Sequence, residues 1–181
     1  MKAEEYTEDR RGCPVKGNAY PVLVLCVGNP LMGDDGVGVE LAKRLQERDY
    51  GPLVHVEEGG TLGMTLLPLL EDADTVILVD AVKTGAAPGT LVTRSKEGLP
   101  RHFSCVISPH QIGMKEVLGA AQLCGTLPRA ITLVGVEAAH TDFCQPMSAE
   151  VRAAMPQALE LIENLIARAV KDCADRENAH E

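Results

Sequence analysis

The sequence predicts an α/β fold: a three-layer sandwich with a mostly parallel, twisted central sheet and helices on both faces. Two observations carry that prediction. The apolar runs Val22–Val27, Val76–Val79 and Ile131–Val136 barely alternate with polar residues, as strands covered on both sides require. Between them lie stretches with apolar residues at helical spacing, and regular alternation of strand and helix builds a parallel sheet through right-handed crossovers. Aromatic residues make up 3% of the chain and Trp is absent, so the core must come from Val, Leu, Ile, Ala and Met. A length of 181 residues suits one domain.

The elements follow in order. Residues 1–19 are polar, carry Gly and Pro, show no sustained period, and read as a loosely ordered N-terminal arm. Tyr20–Val27 is the first strand. A helix from about Asp35 to Arg48 places Val37, Leu41 and Leu45 on one face. Leu53–Val56 begins a second strand, Gly59-Gly60-Thr61 breaks the chain, and Leu62–Leu70 is helical. Thr75–Val79 is a short strand ending at Asp80, and Gly89–Thr93 suggests another. The segment Gly98–Pro109 reads as a loop, Gln111–Leu123 as a helix and Ile131–Val136 as the last strong strand. Ser148 suits the N-cap of a closing helix that reaches roughly Val170, with Pro156 placed to kink it. A single domain over residues 20–172 and a C-terminal tail at 173–181 complete the expected organisation.

The formal net charge of −9 argues against nucleic acid or an anionic membrane surface as partner, since neither gains from meeting it. Six scattered cysteines include no C-x-x-C pair, which points to reduced thiols in the cytoplasm. No basic-then-apolar leader opens the sequence and its apolar runs are far shorter than a bilayer span, so a soluble intracellular protein is expected.

The chemistry concentrates after the first strand. Gly28–Gly38 is a glycine-rich turn opening a helix, a context that ordinarily cradles phosphate on backbone N–H groups. Here Asp34 and Asp35 stand at its mouth and would repel an anion, and Pro30 occupies the place of the second glycine of a dinucleotide fingerprint. A nucleotide-binding domain, with Glu57 or Glu58 as the ribose acid, is therefore an alternative only. The loop better presents an acid to a cation. Adjacent side chains diverge, so Asp34 is expected to cap the helix, a task a neutral amide could share, while Asp35 faces the crevice.

Asp80 ends a buried strand, and in open α/β sheets ligands bind beyond the carboxyl ends of strands at a switch point, where Asp35 and Asp80 would meet. His110, in Ser108-Pro109-His110-Gln111, sits at a helix start, where the dipole disfavours its cationic form and leaves an imidazole able to bind metal. Two carboxylates and one imidazole suit zinc or nickel. A metal-free Asp35–Asp80 acid–base pair is a rival. His55, His102, His140 and His180 read as surface or packed residues. There is no G-x-S-x-G elbow and no H-E-x-x-H helix.

Taken together, G-N-x-L-x-x-D-[DE]-x-x-G at Gly28–Gly38, G-G-T at Gly59–Thr61, D-A at Asp80-Ala81, P-G-T at Pro88–Thr90, S-P-H-Q at Ser108–Gln111 and T-L-V-G-V at Thr132–Val136 resemble the nickel-iron hydrogenase maturation endopeptidases over about residues 20–170. The resemblance implies a monomeric cytosolic protease that removes a C-terminal extension from the precursor of the hydrogenase large subunit after nickel insertion. It implies Asp35, Asp80 and His110 as the catalytic, metal-contacting group, with nickel supplied by the substrate and no tightly bound metal of the protease's own. It also suggests that Glu58, Gly59, Gly60 and Thr61 contact substrate, although the family often has Asp where this chain has Glu58. A nickel-checking chaperone without hydrolysis is the alternative that shares the site.

Overall fold

The computed structural model describes residues 6–8, 14–16, 20–96 and 113–178. Within the expected N-terminal arm, two short strands, β1 (Tyr6–Glu8) and β2 (Pro14–Lys16), pair antiparallel. The central sheet is built from β3 (Tyr20–Val27), β4 (Val54–Gly60), β5 (Ala73–Val82), β6 (Leu91–Ser95) and β7 (Ala130–Glu137), in the order β4-β3-β5-β7-β6. The first four strands in that order run parallel, and β6 joins β7 antiparallel at the edge. The helices are α1 (Val37–Gln46), α2 (Leu67–Glu71), α3 (Met114–Cys124) and α4 (Ala149–Asn178).

Side chains of β3 divide alternately between two cores, which is why its sequence is apolar without a break. Val22, Val24 and Cys26 pack with Val37, Leu41 and Leu45 of α1 and with Met155, Ile162 and Ile166 of α4. Leu23, Leu25 and Val27 pack on the other face with Leu66, Leu70, Met114 and Val117. The α/β sandwich expected from the sequence is thus the architecture found.

Several boundaries move outward or inward for identifiable reasons. The acids expected in the first turn of α1 lie instead in a 3-10 turn, Gly33–Gly36, that precedes it. A second such turn, Gly63–Leu66, precedes α2. Strand β4 extends through Glu57–Gly60 because Glu58 and Gly60 still pair with Cys26 and Val27. The closing helix, expected to stop near Val170, continues to Asn178, so residues 173–178 of the expected tail are helical. Its extra turns are held because Cys173 is buried in the core and Arg176 donates to Asp74 at 2.7 Å. The helix runs on through Pro156. The expected loop at Gly98–Pro109 and the first residues of the helix expected at Gln111 lie outside the described residues.

Strand β3 sends its chain through α1 to β4 on one face, and β4 returns through α2 to β5 on the other. The crevice between the carboxyl ends of β3 and β5 is therefore the switch point of this sheet. Gly38 lets α1 begin directly above it: a Cβ there would lie 2.0 Å from the Val27 carbonyl oxygen and 3.1 Å from that of Val79. Both obstacles are backbone and cannot swing aside. Gly38→Ala is expected to destabilise the protein by about 3 kcal/mol or more, read as a lowered midpoint in urea unfolding.

Two buried or half-buried carboxylates make the fold acid-sensitive. Burial opposes ionisation of Glu137, but donation from the Thr84 N–H, the Thr84 hydroxyl and the Gly85 N–H outweighs it and lowers the pKa. Burial likewise opposes ionisation of Asp74, and Arg129 and Arg176 outweigh it. Folded-state values below the unfolded ones mean that this stability is present above the ordinary carboxylate range, about pH 4, and is lost as pH falls through the lowered values. Glu137→Gln should lower stability at pH 7 and flatten the acid limb of a circular dichroism titration.

Candidate active site

The chain leaving β3 forms the turn that carries both acids, and the 3-10 turn touches β5. Asp34 is fully buried. Its Oδ2 accepts the backbone N–H groups of Ala139 (2.8 Å) and His140 (3.2 Å), and its Oδ1 accepts that of Ser148 (2.6 Å). Its own N–H donates to the His140 carbonyl at 3.1 Å. Burial works against the charge, but the N–H donors of Ser148, His140 and Ala139 outweigh it and hold the pKa below the ordinary value. The expected capping role is therefore corrected: neither the 3-10 turn nor α1 has a side-chain cap, and Asp34 ties the turn to the segment joining β7 and α4.

Asp35 has a different environment. Half-buried, it accepts the Asn29 N–H on Oδ2 at 2.8 Å. Burial raises its pKa above the ordinary value, with the Asn29 N–H pulling the other way. A carboxyl so placed is short of hydration and gains from a cation. The divergence of the two neighbours expected from the sequence is present, with the buried member structural.

Asp80 lies near the carboxyl end of β5, 6% exposed, with Oδ1 accepting the Ala81 N–H at 2.8 Å. Because Cys26 is in register with Val79, the turn bearing Asp35 leaves β3 beside Asp80. Asp80 and Glu58 both bear on Cys26 between them: burial first, then these two charges, push its thiol pKa far up, so Cys26 is an inert packing residue. His110 lies outside the described residues, and among the described residues no three His, Cys, Asp or Glu side chains form a metal-holding group. Asp35 and Asp80 are acid oxygen donors at the switch point, and this donor chemistry fits a divalent cation that brings further ligands with it.

The Glu58–Thr61 segment ends β4 on the other side of β3. Glu58 and Thr61 are exposed at the rim. Gly59 is buried where a Cβ would come within 2.9 Å of Leu25 and 3.2 Å of Leu66, so it admits the 3-10 turn before α2 to the sheet. Gly60, at φ +47°, accepts the Gly28 N–H at 3.0 Å and fastens β4 to the acid-bearing turn.

Two participants were missed by sequence reasoning. Glu137 ends β7 as Asp80 nears the end of β5, and the same pattern of an acid closing a buried strand could have found it. The backbone of His140 meets Asp34, and its ring packs on Gly33 with Nδ1 shielded and without a hydrogen-bond partner among the described residues. Nothing local in the sequence signals that contact.

A family model described as hydrogenase maturation protease matches residues 37–165. The hydrogenase 2 maturation protease of Escherichia coli (strain K12) is 35% identical over 162 residues, which cover 88% of this chain and 99% of that protein. The hydrogenase expression/formation protein HupD of Rhodobacter capsulatus is 41% identical over 131 residues, 71% of this chain and 59% of that protein. Among solved structures, the hydrogenase maturating endopeptidase HybD from E. coli superposes with a TM-score of 0.75 at 35% identity, covering 82% of this chain and 93% of that one.

The buried geometry makes the two neighbouring acids separable by experiment. Asp34→Asn would turn an amide NH2 toward N–H donors and is expected to cost about 3 kcal/mol. Asp35→Asn keeps an acceptor for Asn29 and should cost less than about 1 kcal/mol. Chemical denaturation of both variants checks this, and equal losses would contradict the assignment of Asp34 as the structural tie.

Proposed function

We propose, starting from the fact that this chain belongs to the hydrogenase maturation protease family and is a peptidase, that it removes the C-terminal extension of a nickel-iron hydrogenase large-subunit precursor after nickel insertion. The observation that carries this reading is that Asp80 lies near the carboxyl end of β5 while Asp35 lies in the turn that follows the adjoining β3 and touches β5, at the switch point of the sheet. His110 is assigned as the third member from the sequence motif alone. The nickel arrives with the precursor as part of the substrate, and Asp35, Asp80 and His110 contact it to verify loading and to position the scissile bond. When present, nickel supplies a Lewis-acidic centre beside the scissile carbonyl.

The chain's own residues prepare for that encounter. Asp34 fixes the turn, so that Asp35 is held by the backbone rather than by solvent. Gly60 couples the Glu58–Thr61 rim to the turn after β3, which supports assigning that rim to substrate contact. Leu31 and Phe143 are 58% and 66% exposed, and the Cys144 N–H donates to the Leu31 carbonyl, so the two loops that carry them meet. Leu62, and Met64 in the 3-10 turn that follows it, are exposed after β4. Apolar side chains bordering the crevice suit a folded protein as substrate better than a free metabolite. We assign a monomer acting in the cytoplasm; no described helix is long and apolar enough to cross a membrane.

The deciding experiment mixes the protein with nickel-loaded precursor and follows the precursor's mass. Loss of a C-terminal peptide is expected; binding without cleavage would instead support a nickel-checking chaperone. Asp35→Asn, Asp80→Asn and His110→Ala should each lower turnover at least about a hundredfold with folded protein retained, and their effects should not add if all three serve one metal. Wild-type turnover in all three would remove the site assignment.

Chelator treatment tests where the metal comes from. Protease stripped with chelator and then freed of it should remain active on nickel-loaded precursor and leave nickel-free precursor uncut. Recovery only after zinc is returned to the protease would make this a metallopeptidase with its own ion.

A further inference from the structure

Helices α1 and α4 pack together on one face of the sheet, and between α1 and the start of α4 lies a cavity of about 280 Å3. Pro30, Met147 and Met155 give it an apolar lining, while Arg44, Arg152 and Gln145 supply its polar groups. Neither guanidinium has an ion-pair or hydrogen-bond partner among the described residues. The one acid in the lining, Glu40, is already engaged by Lys43 at 2.9 Å. In a chain of net charge −9, two exposed arginines that line one cavity without a protein partner among the described residues can receive an anion.

The shape and lining narrow the choice of anion. Ligand pockets for cofactor-sized molecules run from about 300 to 1,000 Å3, so this cavity is too small for a nucleotide. Inorganic phosphate would leave the methionine surface unused. An internal Asp or Glu would bring peptide groups on both sides against that apolar surface, leaving them without hydrogen-bond partners. A chain end with an apolar last residue satisfies both halves, since the arginine forks match a carboxylate and the adaptable methionine side chains accept varied apolar groups.

We propose that this cavity is a subsite for the free C-terminal residue of the polypeptide substrate: Arg44, Arg152 and Gln145 take the carboxylate, and Met147 and Met155 take the side chain. The inference rests on the reading that a C-terminal extension is removed. Gly33 and Gly36, which bracket Asp35, also line the cavity, so the subsite and the cleavage centre share one turn. Seating the chain end there draws the extension across the turn that carries Asp35.

The test uses a fluorescein-labelled peptide ending in Ala-Leu-Val, offered as free acid and as C-terminal amide, with binding followed by anisotropy. The free acid should saturate below about 1 mM, and the amide should bind about tenfold or more weakly. The double variant Arg44→Gln, Arg152→Gln should bind the free acid no better than the amide, with an unchanged melting temperature because both side chains are exposed. The double lysine variant should retain part of the affinity. Equal binding of acid and amide, undiminished binding by the glutamine variant, or no saturable binding up to millimolar peptide would each overturn the subsite. So would an amidated peptide with an internal Glu that binds as well as the free acid. On nickel-loaded precursor the glutamine variant should raise KM about tenfold and keep kcat; a fall in kcat at constant KM would contradict a binding role. Failure of the unaltered protease to cut that precursor would sink the cleavage reading, while the peptide measurement would still decide the subsite.

Discussion

The buried carboxylate of Asp34 gathers backbone N–H groups from Ala139, His140 and Ser148, and much of the upper rim hangs from that contact. A charge this deep is tolerable only because each oxygen is met by donors, and those donors belong to a segment more than a hundred residues away in sequence. The contact locks the turn after β3 to the segment leading into α4. Asp35 then has a fixed backbone, α1 and α4 have a fixed separation, and the cavity between them has a defined shape. One buried side chain thereby sets the geometry of the turn that carries Asp35.

The same economy appears at the other strand ends. Glu137 fastens the chain leaving β5 through Thr84 and Gly85, next to the strand end that carries Asp80. Gly60 receives Gly28 and links the rim of β4 to β3. Asp74 clasps Arg129 and Arg176 at the opposite, amino end of β5. Buried or half-buried carboxylates thus secure both ends of the sheet, while its middle is held by apolar packing on two faces. Where the carboxylates meet N–H groups rather than arginines, those donors are backbone, with the Thr84 hydroxyl added at Glu137.

That division leaves the crevice free for function. Asp35 lacks the full set of donors that Asp34 has, and its raised pKa reflects burial without matching compensation. Two aspartates adjacent in sequence are driven in opposite directions by their surroundings, one toward firm ionisation as a structural anion and the other toward readiness for a cation. An under-solvated carboxylate at a switch point is a receptive group.

The sequence alone determined the layered α/β architecture, because burial on both sides of a strand and on one face of a helix is written locally as period and composition. It also singled out Asp35 and Asp80, since the switch-point rule needs only the order of elements and an acid after each strand. Tertiary structure decided what pattern cannot contain. Asp34 looked like a helix cap because capping is the local use of an acid at a helix start, whereas its true partners come from a distant segment. The antiparallel direction of β6 depends on how the chain returns to the edge of β7, and the length of α4 depends on Cys173 finding the core and Arg176 finding Asp74. Contacts between residues far apart in the chain leave no periodic trace, so they became visible only when the sheet brought them together.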